Sequence, residues 1–269
     1  MRSVAFILLF VPLFFSACKK DRTPDAPTKP TGTNYRIKKT RVATMSNIIS
    51  DHYEYNAAGY LVKLTHEDSF QVQTPNKGVA ITTYEFTYDA KNRLTQYILN
   101  GTNTVTGIYH YDGNNRLQFI KQHFKNNALQ NYYEFVWDKG KIIKIIDRMH
   151  DGSLGYTHFI TYDANGNVSK VDRSTLSDST KIFPKHSNIQ YDNKPNYLNT
   201  IKGMEGFIPF AFDYPQMLSK NNVTAKVFTF DDGSTHASAY NWVYNAAGYL
   251  ESGVYSGGTI TYNYYYELY

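Results

Sequence analysis

The chain has 269 residues, a formal net charge of +5, 16% aromatic residues with 25 Tyr among them, and a mean hydropathy of −0.49. That modest charge, with no Lys/Arg block interleaved with aromatics, argues against a nucleic-acid partner, while the aromatic excess favours strands. A single cysteine excludes an intramolecular disulfide, and no composition break follows Tyr35, so one large all-β domain is expected over residues 35–269.

At the N-terminus Arg2 supplies a positive charge, Val4 to Phe15 form an apolar run, and the small residues Ser16 and Ala17 precede Cys18. This is the layout of a secretory signal over residues 1–17. The apolar run of about 12 residues is too short to span a hydrocarbon core of about 30 Å as a helix. Phe15-Ser16-Ala17-Cys18 resembles the bacterial lipobox. The resemblance implies acylation of Cys18 and cleavage before it, which would also account for a lone thiol in an exported chain. More than one acyl chain then gives a stable membrane anchor.

Residues 18–34 place Pro24, Pro27 and Pro30 among Thr, Asp and Lys, with little to bury. They read as a semi-extended tether reaching up to about 50 Å from the membrane at about 3.1 Å per residue. Lys19-Lys20-Asp21 resembles the charged signal that sends some Bacteroidota lipoproteins to the cell surface, but a second acidic residue is missing. The expected location is the outer membrane, with its surface and periplasmic faces both open.

The β domain is organised by an internal repeat. Its copies are Tyr55-Asn-Ala-Ala-Gly-Tyr-Leu61, Tyr88-Asp-Ala-Lys-Asn-Arg-Leu94, Tyr111-Asp-Gly-Asn-Asn-Arg-Leu117, Trp137-Asp-Lys-Gly-Lys-Ile142, Tyr162-Asp-Ala-Asn-Gly-Asn-Val168, Tyr191-Asp-Asn-Lys-Pro-Asn-Tyr-Leu198 and Tyr244-Asn-Ala-Ala-Gly-Tyr-Leu250. Their first residues are separated by 33, 23, 26, 25, 29 and 53 positions, the last gap being two periods long. In each copy an aromatic ends a strand, Asp or Asn opens a turn by bonding its own backbone, Gly or Asn takes the left-handed position, and an apolar residue starts the return strand. Seven hairpins predict an all-β, curled antiparallel β-meander of about 14 strands, barrel-like or half-barrel. After the turn, apolar residues recur at a spacing of three, as in Leu61/Leu64 and Val168/Val171. In a regular strand such a pair faces opposite ways, so either a bulge opens each return strand or the sheet is covered on both sides.

The copies resemble the YD repeats of Rhs-type shell proteins. The lipobox, the Pro/Thr tether, the Tyr-Asp hairpins, the step near residue 191 and Ser219-Lys-Asn-Asn222 together resemble a Bacteroidota lipoprotein family of unknown function with a porin-like fold. That resemblance spans residues 35–269 and implies a curled meander, without supplying an activity. Asn in place of Asp at 56 and 245, and the lack of Gly at 92, are departures the turn tolerates.

Gly203 to Val223 interrupt the repeat, carrying Phe207, Phe210, Phe212 and Tyr214 around Pro209 and Pro215 without a clear period. The functional reading is a lid lining a pocket, with those four aromatics as its wall. The simpler reading is a plug that fills the open end of the sheet. The aromatic C-terminal segment Tyr262 to Tyr269 is similar to the last strand of outer-membrane barrels. Counting back by twos, however, gives Glu267, Tyr265, Asn263 and Thr261, and the companion strands present Thr, Lys and Glu where lipid would need apolar side chains.

The eight histidines, at 52, 66, 110, 123, 150, 158, 186 and 236, show no metal-ligand spacing, so neither metal nor cofactor is expected. Asp163 to Asn167 and Asp231-Asp232-Gly233 read as turns. No Gly-x-Ser-x-Gly elbow, phosphate loop or thiol nucleophile falls within the domain. The expected function is therefore non-catalytic: an envelope protein, held to the membrane by its lipid, that binds a glycan or protein ligand. A glycan-acting hydrolase and a purely structural scaffold are the alternatives. The hydrolase would need two carboxylates about 5 to 9.5 Å apart in a cleft, and the binder would need grouped aromatics.

Overall fold

The computed structural model describes residues 35–70, 78–174, 180–203, 213–256 and 259–269. The signal, Cys18 and the tether lie outside the described residues, as do Phe207, Phe210 and Phe212. Sixteen strands run in order as β1 (Tyr35–Ala43), β2 (Ile48–Tyr55), β3 (Leu61–Phe70), β4 (Gly78–Tyr88), β5 (Leu94–Asn100), β6 (Val105–Tyr111), β7 (Leu117–Phe124) and β8 (Leu129–Asp138). They continue as β9 (Lys141–Met149), β10 (Leu154–Tyr162), β11 (Val168–Ser174), β12 (Ile182–Pro195), β13 (Asn221–Thr229), β14 (Thr235–Tyr244), β15 (Leu250–Tyr255) and β16 (Thr261–Leu268). Each pairs antiparallel with its neighbours in sequence, and β1 pairs with β16, closing a barrel without free edges.

The seven repeats account for β2 to β15. Strands β1 and β16 lie outside them, which is why repeat counting falls two strands short and cannot tell a half-barrel from a closed one. Six copies form tight hairpin turns, while Tyr191 to Pro195 continue β12 and lead into a long connection in place of a seventh; all seven steps lie at one end of the barrel, the repeat end, because strands alternate in direction.

The turns form as their residues dictate. Asp89 Oδ1 accepts from the backbone N–H groups of Lys91 and Arg93, both at 2.9 Å, while Asn56 Oδ1 does the same for Ala58 and Tyr60 at 3.0 Å. The left-handed position is Gly59 in one copy and Asn92, at φ 61°, in another. In the six hairpin copies the return strand then opens with a bulge. Tyr55 opposes Leu61 while Glu54 opposes Lys63, so one residue is extra and both Leu61 and Leu64 turn inward. The same shift recurs at Tyr88, Tyr111, Trp137, Tyr162 and Tyr244. Repeated bulges increase local twist and curl the sheet, which brings β16 round to β1.

The aromatic of five consecutive copies, from Tyr88 to Tyr191, has a second task. Tyr88 Oη donates to the Leu61 carbonyl at 2.6 Å, Tyr111 Oη to Leu94 at 2.8 Å, Trp137 Nε1 to Leu117 at 2.7 Å, Tyr162 Oη to Ile142 at 2.9 Å and Tyr191 Oη to Val168 at 2.7 Å. Every acceptor is the apolar residue of the preceding copy. A bulge disrupts the ladder locally, and the side-chain donor satisfies the carbonyl beside it. Tyr162→Phe therefore costs about 1–2 kcal/mol in urea denaturation, with the ring packing retained. No loss would mean that the carbonyl finds another donor.

Sixteen strands enclose more space than side chains alone fill, as in water-filled porins. Here the core at the repeat end is packed by Ile37, Leu61, Tyr97, Ile120, Ile145 and Val168, all fully buried or nearly so. Tyr97 lies flat on Gly107, where a Cβ would meet its ring at 1.9 Å. The repeat end is further covered by the connection between β12 and β13. After β12 a short 3-10 turn (Tyr197–Thr200) packs Tyr197 against Tyr264 at 4.8 Å, buries Ile201, and carries the chain across the barrel to β3. There Leu61 N–H donates to the Lys202 carbonyl at 3.1 Å. Outward positions carry Lys63 opposite Glu85, with Lys121, Glu134, Lys144 and Arg148 on neighbouring strands.

Candidate ligand site inside the barrel

The β12–β13 connection is held by a buried polar network. Asn222, fully buried, donates through Nδ2 to the Pro195 carbonyl at 3.1 Å and to Asp192 Oδ2 and Tyr244 Oη, while its Oδ1 accepts from Tyr197 N–H at 3.1 Å. Asn196, also fully buried, accepts from Leu198 N–H and Gln216 Nε2 and donates to the carbonyls of Gln216 and Ser219. Asn167 Oδ1 accepts from the N–H groups of Lys220 and Asn221, both at 3.0 Å. Thus Ser219 to Asn222 tie the long connection back to the turn at Asp163. Strand β13 begins at Asn221, inside the stretch read from sequence as an interruption; Asn is a poor strand former, and these side chains fix the backbone instead.

A short helix, α1 (Tyr214–Leu218), follows Asp213, whose side chain caps it at Gln216 N–H, with Pro215 in the first turn. Asp213 also pairs with the buried Lys226 of β13. Between α1 and the inner face of β12 to β14 runs a cavity of about 580 Å³. Phe228, Phe230, Tyr240 and Tyr197 give it aromatic walls, and Gln216, Ser238, His236 and the Lys226–Asp213 pair interrupt them with polar groups. It extends toward the end opposite the repeat turns, where Phe230 is 46% exposed. Tyr240 stacks on Trp242 at 5.1 Å and 2°, which stiffens that wall.

A smaller chamber of about 150 Å³ adjoins it, sharing His186 and Phe228 as lining. Its other walls are His158, Arg173, Lys185 and Tyr214. Burial, together with the charges of Arg173 and Lys185, pushes His158 down to about 3, so its imidazole is neutral at physiological pH. Burial and the adjacent Arg173 also lower the Lys185 ammonium. Asp231, from the turn after β13, accepts from both cations, with Lys185 Nζ at 3.3 Å. Against the upward push of its partial burial, these partners hold its carboxyl below the ordinary value.

Of the four aromatics read as a lid or pocket wall, Tyr214 is buried, lines the small chamber and packs edge-on against His158 at 4.8 Å. The sequence reading missed the chamber's other walls. Nothing local links His158, Arg173 and the adjacent pair Lys185-His186, which come from three strands. Asp231-Asp232-Gly233 is a turn, with Gly233 at φ 83°, and its first carboxylate is also the partner of two buried cations. Among the described residues no group of three His, Cys, Asp or Glu could hold a metal ion.

The fold has solved counterparts. A porin-like protein from Bacteroides uniformis ATCC 8492 is similar at 15% identity over 88% of this chain and 98% of that one, with a TM-score of 0.57. A second, from Bacteroides vulgatus ATCC 8482, aligns at 12% identity over 86% of this chain and 98% of that one, with a TM-score of 0.41. No family model and no curated protein matches the sequence. With the closed ring of sixteen antiparallel strands, the first likeness makes this a porin-like barrel in fold.

Proposed function

We propose that the protein is a lipid-anchored component of the bacterial envelope that binds a small ligand, non-catalytically, inside its barrel. The observation that carries this reading is the cavity of about 580 Å³, within the range of ligand sites, whose aromatic walls alternate with hydrogen-bonding groups. Aromatic faces flanked by Gln216, Ser238 and His236 suit a saccharide, which offers C–H faces to rings and hydroxyls to polar atoms. The carboxylate among its described lining residues, Asp213, is committed to Lys226, which favours binding over hydrolysis.

Anchoring rests on Cys18 and its lipobox-like surroundings, and the envelope location is supported by the fold shared with a porin-like protein from Bacteroides. The charged outer face favours a barrel standing off the membrane on its tether, since Lys63, Glu85, Lys144 and Arg148 would otherwise meet lipid.

Two measurements test the reading. Titration of oligosaccharides against Trp242 and tyrosine fluorescence is expected to find a saturable ligand whose affinity falls at least tenfold in Phe228→Ala. A ligand bound equally well by Phe228→Ala and Tyr240→Ala would move the site elsewhere, and release of shortened glycans would favour the hydrolase. Cys18→Ala is expected to shift the protein from the membrane to the soluble fraction, and unchanged partitioning would remove the anchor.

A further inference from the structure

The small chamber presents an electrostatic problem that the protein's described residues leave unsolved. The Arg173 and Lys185 side chains are both about nine-tenths buried, and they face one described carboxylate, Asp231, whose side chain is 60% exposed at the chamber's outer side. Burying a cation is costly unless it is paired and fully hydrogen-bonded, and two cations side by side repel. Among the described residues, Arg173 Nε is buried without a hydrogen-bond partner, and so is His158 Nδ1. The aromatic neighbours ease the cost in part, with the Arg173 guanidinium 4.0 Å from the Tyr156 ring and Lys185 Nζ 4.1 Å from that of Phe228. They supply no acceptor for the remaining N–H groups.

A chamber of about 150 Å³ is roughly five water volumes, enough for one carboxylate or phosphate group and little else. Its donors converge from β10, β11 and β12, and guanidinium and ammonium together are the usual receptor for an oxyanion. It adjoins the larger cavity, with which it shares the walls His186 and Phe228.

We propose that the small chamber is a receptor for an oxyanion headgroup, and that the barrel's ligand is an acidic saccharide whose carboxylate lies between Arg173 and Lys185 while its sugar rings occupy the larger cavity. This rests on the reading of the larger cavity as a ligand site and specifies the ligand's charge. The headgroup bonds the Arg173 N–H groups and Lys185 Nζ. Asp231, which also accepts from Tyr156 Oη at 3.3 Å, yields one of its contacts or stays as the outer rim.

The test uses thermal unfolding of the full chain in detergent, with three probes at matched ionic strength: inorganic phosphate, trigalacturonate and the neutral maltotriose. Phosphate at tens of millimolar is expected to raise Tm by about 4 °C over chloride. Trigalacturonate should reach the same shift at a concentration at least tenfold lower, because it gains the aromatic cavity as well. Both shifts should largely vanish in Arg173→Gln and in Lys185→Met, each verified as folded by circular dichroism. They should persist in Lys170→Gln, whose outer-face lysine pairs with Asp172.

Equal shifts in wild type and both variants, or no response to either anion, would overturn the oxyanion receptor. If maltotriose still bound and Phe228→Ala abolished that binding, the cavity reading would stand without the acidic ligand. If no probe perturbed the protein, both would fall. A phosphate shift without any gain from trigalacturonate would overturn the saccharide and leave a phosphate headgroup in its place.

Discussion

Cysteines placed at Arg41 and Asn263, in a chain whose own Cys18 is replaced by Ala, are expected to form a disulfide spontaneously under mild oxidation. The two residues are direct partners across the β1–β16 seam. Opposed residues in an antiparallel pair have Cα atoms about 4.5–5.5 Å apart, inside the range a disulfide can bridge. The bond closes a loop of roughly 220 residues, so chain entropy sets an upper limit of about 5 kcal/mol on the gain. Oxidised and reduced forms compared by urea denaturation give the value, and non-reducing electrophoresis gives the crosslink. An open half-barrel would keep the thiols apart, and the pair would stay reduced or link different molecules.

Asn222→Ala is expected to be the most damaging polar substitution in the connection. Its side chain joins β12, the 3-10 turn and β14 through Pro195, Asp192, Tyr197 and Tyr244. Truncation strands several of these partners in the interior, where each unsatisfied group costs about 1–3 kcal/mol. A total of about 3–4 kcal/mol follows, equivalent to a fall in Tm of roughly 9 °C for a domain of this size. Asn126→Ala is the comparison, since that side chain bonds only the nearby Ala128 N–H in an exposed turn. It should cost under about 1 kcal/mol. Similar losses in the two variants would mean that the buried network contributes nothing beyond ordinary turn chemistry.

The two ends of the barrel differ in how far they were legible. The repeat turns are local chemistry: Asp89 and Asn56 cap their own backbones, and Asn92 tolerates positive φ, so each hairpin could be read within seven residues. The spacing of three between Leu61 and Leu64 also announced its bulge, although the sequence left a two-sided sheet as a second explanation. A further signal was present and unread. All seven copies carry Tyr or Trp at the first position and none carries Phe, in a chain with 16 Phe. That preference for an aromatic with a donor is what the inter-repeat hydrogen bonds require.

The chamber was not legible in the same way. His158, Arg173, Lys185 and Asp231 lie up to 73 residues apart and share no motif. Their meeting depends on the register of β10, β11 and β12 and on a turn that projects back over them. Register is a property of strand pairing, fixed when one face is buried, and a single sequence does not write it out for irregular strands such as β12.

The sequence by itself thus determined the strand class, six hairpins and their turn conformations, and it narrowed the spacing of three to a bulge or a two-sided sheet, because each depends on residues within a few positions of one another. Tertiary structure alone decided that β1 meets β16, that the β12–β13 connection crosses and covers one end, and that two buried cations face a small chamber. Those outcomes depend on how much twist the bulges accumulate around sixteen strands and on which distant side chains the closed ring then brings into contact.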